Sequence, residues 1–267
     1  MRDALRLAIE KLPASVSLRA KNAFDGFDRA RVLLPVDREM ASFRAITAEE
    51  EAITALFLSL QLRKYPGAGR LDLYSHPHKA AVAPFLAAVK ASILGSRRKL
   101  DIRVTLDFSV PSITVQVPLK ELGVALPESE TLCLQLAEPL GLLGAKEDGP
   151  SPTDFFDSHI ARVTSTKNVN GIRKFIHDQA NIRNKLLYAS DRSLPKSEVT
   201  EEAIEMRQKR ADTALLLAIA VLQEKKHQMM ARQCLAAFLK MIGKALEADP
   251  SYPQIEPDIA IKATEPG

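Results

Sequence analysis

The residues best suited to chemistry lie in one stretch, His177-Asp178-Gln179-Ala180-Asn181-Ile182-Arg183-Asn184-Lys185-Leu186-Leu187-Tyr188. At 100° per residue, His177, Asn181, Asn184 and Tyr188 follow the i, i+4, i+7, i+11 ladder and share one helix face. Ile172, Phe175, Ile176, Ile182 and Leu186 make a separate apolar stripe. Arg183 falls beside that stripe, so its guanidinium is expected at the edge of the core. A guanidinium next to an amide and a phenol can grip a phosphate and polarise it. The same region is locally basic. From Ile160 to Arg192 there are Arg162, Lys167, Arg173, Lys174, Arg183, Lys185 and Arg192 against Asp178 and Asp191, a surplus of five positive charges. Such a patch suits a polyanion, with nucleic acid the commonest candidate, and Arg173, Lys174 and Lys185 are the candidate phosphate-tracking residues.

The elements that must carry these groups are mostly helical. In 267 residues, 46% are apolar and only 5% aromatic, with no Trp. A core built from Leu, Ala, Ile and Val favours packed helices. The predicted fold class is therefore mainly α, a helical bundle with a small inserted antiparallel β-hairpin or three-stranded β element. Arg2 to Leu12 reads as a short amphipathic helix ended by Pro13, and Leu18 to Met40 as short helical or irregular segments. Thr47-Ala48-Glu49-Glu50 has the form of a capping box, which predicts a helix start at Thr47 and places the acidic run Glu49-Glu50-Glu51 in a first turn. On that reading these carboxylates serve the helix terminus and not acid–base chemistry. The helix is expected to stop at Tyr65-Pro66-Gly67. His76-Pro77-His78-Lys79 opens another, running to Leu94 with Pro84 inside it. Its two histidines are two apart and share no face, so they predict no metal site, although they can face a ligand at a helix entry.

Leu100 to Phe108 and Ser112 to Pro118 alternate apolar and polar around a turn, and Leu132, Leu134 and Leu136 offer a third strand. Gly144 to Pro152 reads as a linker, Thr153 to Val163 as a short helix and Gly171 to Ser190 as the helix of the opening motif. Ser197 to Ala248 is too long for one helix and should break near Glu224 to Gln228. The domain plan is an N-terminal helical arm (1–42), a helical core (43–98 and 153–248), an inserted β element (99–145) and a flexible tail (249–267).

Several function classes find no support. There is no phosphate-cradling Gly-rich loop, no nucleophile elbow and no helical pair of zinc-spaced histidines, so no cofactor and no metal are expected. Cys133 and Cys234 form no disulfide or zinc pattern, no secretory signal is visible, and no apolar run reaches the roughly 20 residues of a membrane span. A cytoplasmic protein without a membrane partner is expected.

Arg183-Asn184-Lys185-Leu186-Leu187-Tyr188 resembles the Arg-Asn-x-x-x-His motif of the HEPN superfamily, helical proteins that include ribonucleases, toxin components and phage-defence proteins. Thr47 to Glu51, leading into an Ala- and Leu-rich helix, is similar to the first helix of the abortive-infection branch. The likeness covers Phe43 to Leu94 and Ile172 to Ile242. It implies a dimer whose paired motifs cut RNA without a metal: Arg183 stabilises the phosphate charge, Asn184 orients it, and Tyr188 or His177 supplies the proton. The motif departs from the family at Tyr188, where the pattern has His. A phenol is a weak base at neutral pH, which leaves a degenerate RNA-binding version as one form of the expectation. A second expectation, from a different class, is a non-catalytic adaptor or nucleic-acid-binding subunit of a larger assembly. There the hairpin edge pairs with a partner and the basic segment tracks phosphates. A purely structural protein of phage or prophage type is a third.

Overall fold

The computed structural model describes residues 2–94, 103–118, 132–141, 169–187 and 197–246. The expected linker at 144–152, the helix at 153–163 and the tail at 249–267 lie outside them. The described chain is mainly helical with one small sheet: α1 (Arg2–Glu10), α2 (Ala14–Leu33), α3 (Arg38–Leu62), a 3-10 turn (Ala68–Arg70), α4 (His76–Leu94), β1 (Arg103–Asp107), β2 (Ser112–Pro118), β3 (Cys133–Gln135), α5 (Val169–Leu187), α6 (Glu201–Gln223) and α7 (Met229–Leu246). None of the described helices is long and apolar enough to cross a membrane.

Two sequence expectations fail here, and both concern where α3 begins. The stretch from Leu18 to Met40 is not a set of short segments. It is the body of one 20-residue helix, α2, a tight connection and the start of α3. The cap of α3 is Asp37, whose carboxylate accepts from the Met40 amide at 2.8 Å. Thr47 caps nothing. It lies more than two turns into α3, and its hydroxyl donates back to the carbonyls of Phe43 and Arg44 at 3.1 and 3.0 Å. A threonine satisfied in this way sits in a helix interior. Glu49, Glu50 and Glu51 are therefore mid-helix residues.

The reason α2 and α3 run long is their small-residue periodicity. In α3, Ala41, Ala45, Ala48, Ala52 and Ala55 recur at alternating steps of four and three and are all buried. In α2, Val16, Ala20, Ala23, Phe27 and Ala30 do the same. Two such stripes let the backbones approach closely along their length. Gly26 marks the tightest point: a Cβ there would stand 2.8 Å from the Cβ of Ala48. The pair is tied at its edge by Arg19, which holds Glu51 with two 3.1 Å hydrogen bonds. Helix α6 packs along α3 and also meets α2, presenting Ile204, Ala211, Ala214, Leu215 and Ala218 to the core.

The apolar core continues through Leu56, Phe57 and Leu60 of α3, Val82 and Phe85 of α4 and Leu235 and Phe238 of α7. The Phe238 ring meets Phe85 edge-on at 5.3 Å and Phe57 at 6.1 Å. The expected break between α6 and α7 is present, and a buried glutamine holds it. Gln228 donates to the Ala220 carbonyl at 2.6 Å, accepts from the Leu140 amide at 2.8 Å, and gives its own amide to the Tyr65 hydroxyl at 3.0 Å.

The sheet has order β1-β2-β3 and is antiparallel throughout. Val104 faces Val115, Leu106 faces Ile113 and Val117 faces Leu134, so the predicted alternation places one apolar face. Only β2 is deeply covered, through Ile113 and Val117. The sheet is fastened to the bundle by Gln223 at the end of α6, whose amide both accepts from the Ile113 N–H (2.7 Å) and donates to its carbonyl (3.2 Å).

Candidate active site

Mid-helix placement of the acidic run changes what those carboxylates do. Glu50 points from α3 toward the first residue of α4, His76, and toward Arg183 of α5. His76 Nδ1 lies 3.1 Å from both Glu50 oxygens. Arg183 Nη1 lies 3.2 Å from Glu50 Oε2 and 2.9 Å from His76 Nε2. The Arg183 guanidinium also rests over the Phe43 ring, 5.2 Å from its centroid, an arrangement that favours a weakly hydrated planar cation. The side chains are 14% exposed for Glu50, 24% for Arg183 and 40% for His76, so the imidazole is the member nearest solvent.

An imidazole protonated at Nδ1 donates to Glu50, while Arg183 Nη1 lies 2.9 Å from Nε2 and 3.2 Å from Nδ1 and so rests against the ring, off the Nε2 lone-pair axis. A carboxylate on Nδ1–H fixes the tautomer and makes Nε2 the basic nitrogen, as in any orienter–base pair. An anion that drew Arg183 toward itself would clear the guanidinium from the imidazole ring.

Beside this triad, Glu49 is buried and receives two arginines of α6: Arg207 at 2.7 Å and Arg210 at 3.4 Å. Lys79, one turn beyond His76, is buried as well. Burial disfavours its ammonium and lowers its pKa, an effect that Glu50 and Glu51 oppose. Across the whole cluster, Arg19, Lys79, Arg183, Arg207 and Arg210 stand against three carboxylates, Glu49, Glu50 and Glu51. The local charge is net positive.

The sequence-derived candidates distribute unevenly. Arg183 is at the core edge, as its place beside the apolar stripe predicts, but its described partners are Glu50, His76 and Phe43. His177 is exposed on α5. Six residues before Arg183, it points about 120° away around the helix. The side chain of Asn184 and the whole of Tyr188 lie outside the described residues. Arg173 is partly buried and donates to the Ala245 carbonyl at 3.3 Å, at the C-terminal end of α7, where a cation complements the helix dipole. Lys174 and Lys185 are exposed on α5, and Lys185 is 3.7 Å from Asp178.

Sequence reasoning missed Glu50, Glu49, Lys79, Arg207 and Arg210, and it left His76 with no assigned partner. One signal was available. Once α3 is started at Asp37, Glu49 and Glu50 are flanked by Ala48, Ala52 and Ile53 on a face that must be buried, and a buried carboxylate requires a cation. Among the described residues no cluster of three or more His, Cys, Asp or Glu side chains has a metal-binding arrangement. The chain matches no family model, no curated protein and no solved structure.

Proposed function

We propose that this protein is a HEPN-like endoribonuclease of phage-defence or toxin type, working without a metal ion through Glu50, His76 and Arg183. The observation that carries the proposal is the convergence of a carboxylate, an imidazole and a guanidinium from three helices at a partly exposed edge. These three groups supply general acid–base catalysis and charge stabilisation by themselves. Arg183 keeps the role implied by the motif, that of holding the scissile phosphate. The proton role expected of Tyr188 or His177 is better served by His76, which has an orienting carboxylate.

The chemistry is a transphosphorylation. The incoming phosphodiester draws Arg183 from His76. His76 Nε2 takes the proton of the RNA 2′-hydroxyl, and the 2′-oxygen attacks phosphorus. The bond from phosphorus to the 5′-oxygen breaks, and the imidazolium returns its proton to that oxygen. A 2′,3′-cyclic phosphate and a 5′-hydroxyl end result. Glu50 stays ionised and supports the transient imidazolium. The resemblance further implies that two copies pair to form the cleft.

The test is cleavage of single-stranded RNA by the full chain with and without EDTA. We expect cleavage in both conditions, a cyclic phosphate product, and a loss of about 10²–10⁴ in rate for His76→Asn with unchanged circular dichroism. Cleavage equal to wild type in His76→Asn, or no cleavage at all, refutes the mechanism. A second reading, a non-catalytic RNA-binding subunit, is favoured by the pairing of Arg183 with Glu50 and by the exposed Lys174 and Lys185. It expects RNA binding that falls steeply with salt, weakens in Lys174→Glu with Lys185→Glu, and yields no products.

A further inference from the structure

Immediately beside the triad, α3, α4, α5 and α6 enclose a small cavity of about 40 Å³. Its polar lining is Glu49, Glu50, Lys79, Gln179, Arg207 and Arg210, and neither His76 nor Arg183 belongs to it. At 10–15 Å³ per water-sized probe, the space holds roughly three such probes, so an occupant must be small or reach in from the open side. Three cations face it against two carboxylates, and one of those carboxylates, Glu50, is shared with Arg183 outside the cavity.

Lys79 is the telling member. Its residue is 8% exposed, and its ammonium, which brings three donors, makes no hydrogen bond to any described residue. Burial lowers its pKa, and Glu50 and Glu51 do not fully reverse the effect. Each of Arg207 and Arg210 gives Glu49 only one N–H of its guanidinium within hydrogen-bond range; Arg210 Nη2 also meets Met206 Sδ at 3.3 Å, and the remaining N–H groups can serve another acceptor. Gln179 adds an amide from the helix that carries Arg183.

We infer that this cavity is a phosphate-monoester site in which Lys79, Arg207 and Arg210 hold a dianionic phosphoryl group. With Arg183 counted beside the cavity the positive charge exceeds the negative by two, so a dianion would balance it, supply acceptors to the ammonium and accept guanidinium N–H groups, with Gln179 as a neutral donor. Glu49 then serves to hold the two arginines side by side. Glu50 belongs to both the cavity and the triad, but His76 does not line the cavity, so His76→Asn tests cleavage without altering the lining.

The probe is inorganic phosphate titrated into the full chain, with ionic strength held constant by sodium chloride and thermal unfolding as the readout. We expect a saturable rise in Tm of about 3–5 °C at ten times Kd. His76→Asn should keep that rise, Lys79→Met should lose it and Arg210→Gln should weaken phosphate binding about tenfold. A flat titration of the wild type overturns the site. So does an unchanged response in Arg210→Gln, which decides the matter alone if Lys79→Met does not fold. A 5′-phosphorylated oligoribonucleotide binding about tenfold tighter than its 5′-hydroxyl counterpart assigns the phosphate to an RNA end. Equal binding of the two, with the phosphate response present, assigns it to free phosphate. Loss of the cleavage reading through His76→Asn would leave the phosphate response standing, and a flat titration would leave the cleavage reading standing.

Discussion

Replacing Glu49 by Gln separates the two accounts of the acidic run most sharply. Were Glu49 a first-turn residue, its loss would remove only a helix-dipole term, about 0.3–1 kcal/mol. In the structure it is a buried carboxylate with two guanidinium partners. The Arg207 contact is short, 2.7 Å, and that side chain is 20% exposed, so it counts as a charge-assisted hydrogen bond of about 1.5–3 kcal/mol. The Arg210 contact is longer, 3.4 Å, and its side chain is 41% exposed, which limits it to about 0–1 kcal/mol. Together these predict a loss of about 2–4 kcal/mol. Urea unfolding followed by circular dichroism reads this directly. With a slope near 2–3 kcal/mol per molar, the midpoint should fall by about 1 M while the slope stays constant. A double-mutant cycle with Arg207→Gln should return a coupling of about 1.5–3 kcal/mol. A loss below about 1 kcal/mol with no coupling would refute the buried-pair reasoning and restore the helix-terminus account.

Two other predictions rest on separate features. Gly26→Ala places a Cβ 2.8 Å from that of Ala48; overpacking of about 1–3 kcal/mol should outweigh the helix-propensity gain of roughly 1 kcal/mol, and urea unfolding should show Gly26→Ala with Ala48→Gly to be more stable than the two single losses predict. Burial pushes the His78 pKa below its usual 6.5, with Asp72 opposing. The unfolded chain therefore takes up the proton first, so the stability contributed by neutral His78 is complete above about pH 6.5 and is lost as pH falls below it. Urea midpoints at pH 7.5 and 5.5 should differ less in His78→Gln than in wild type, and an equal difference would contradict the assignment.

The features legible in the chain are those that local chemistry decides. Pro13, the His76-Pro77 entry and the Tyr65-Pro66-Gly67 stop punctuate helices by fixing φ or removing a donor, and the structure places helix ends close to each. Alternation at 103–107 and 112–118 with Asp107 at the turn gives the hairpin, where the Asp107 carboxylate accepts from the Ser109 amide at 2.7 Å. The break at Glu224 to Gln228 follows from length alone. The misreading at Thr47 has an equally local cause. Ser/Thr-x-x-Glu satisfies a capping box and an interior turn alike, and only the earlier Asp37 cap and the alanine period running back to Ala41 distinguish them.

The sequence by itself determined the mainly helical bundle, the three strands and the place of Arg183 beside an apolar stripe, because propensity, periodicity and caps act within a few residues. Only the tertiary structure decided what Arg183 meets. Glu50 and His76 stand 133 and 107 residues away from it along the chain. They come together because alanine stripes and Gly26 let α2, α3 and α6 close to short range, turning one face of α3 toward α4, α5 and α6. Charge pairing in a folded chain depends on which helix faces oppose one another, and spacing within one segment carries no information about that.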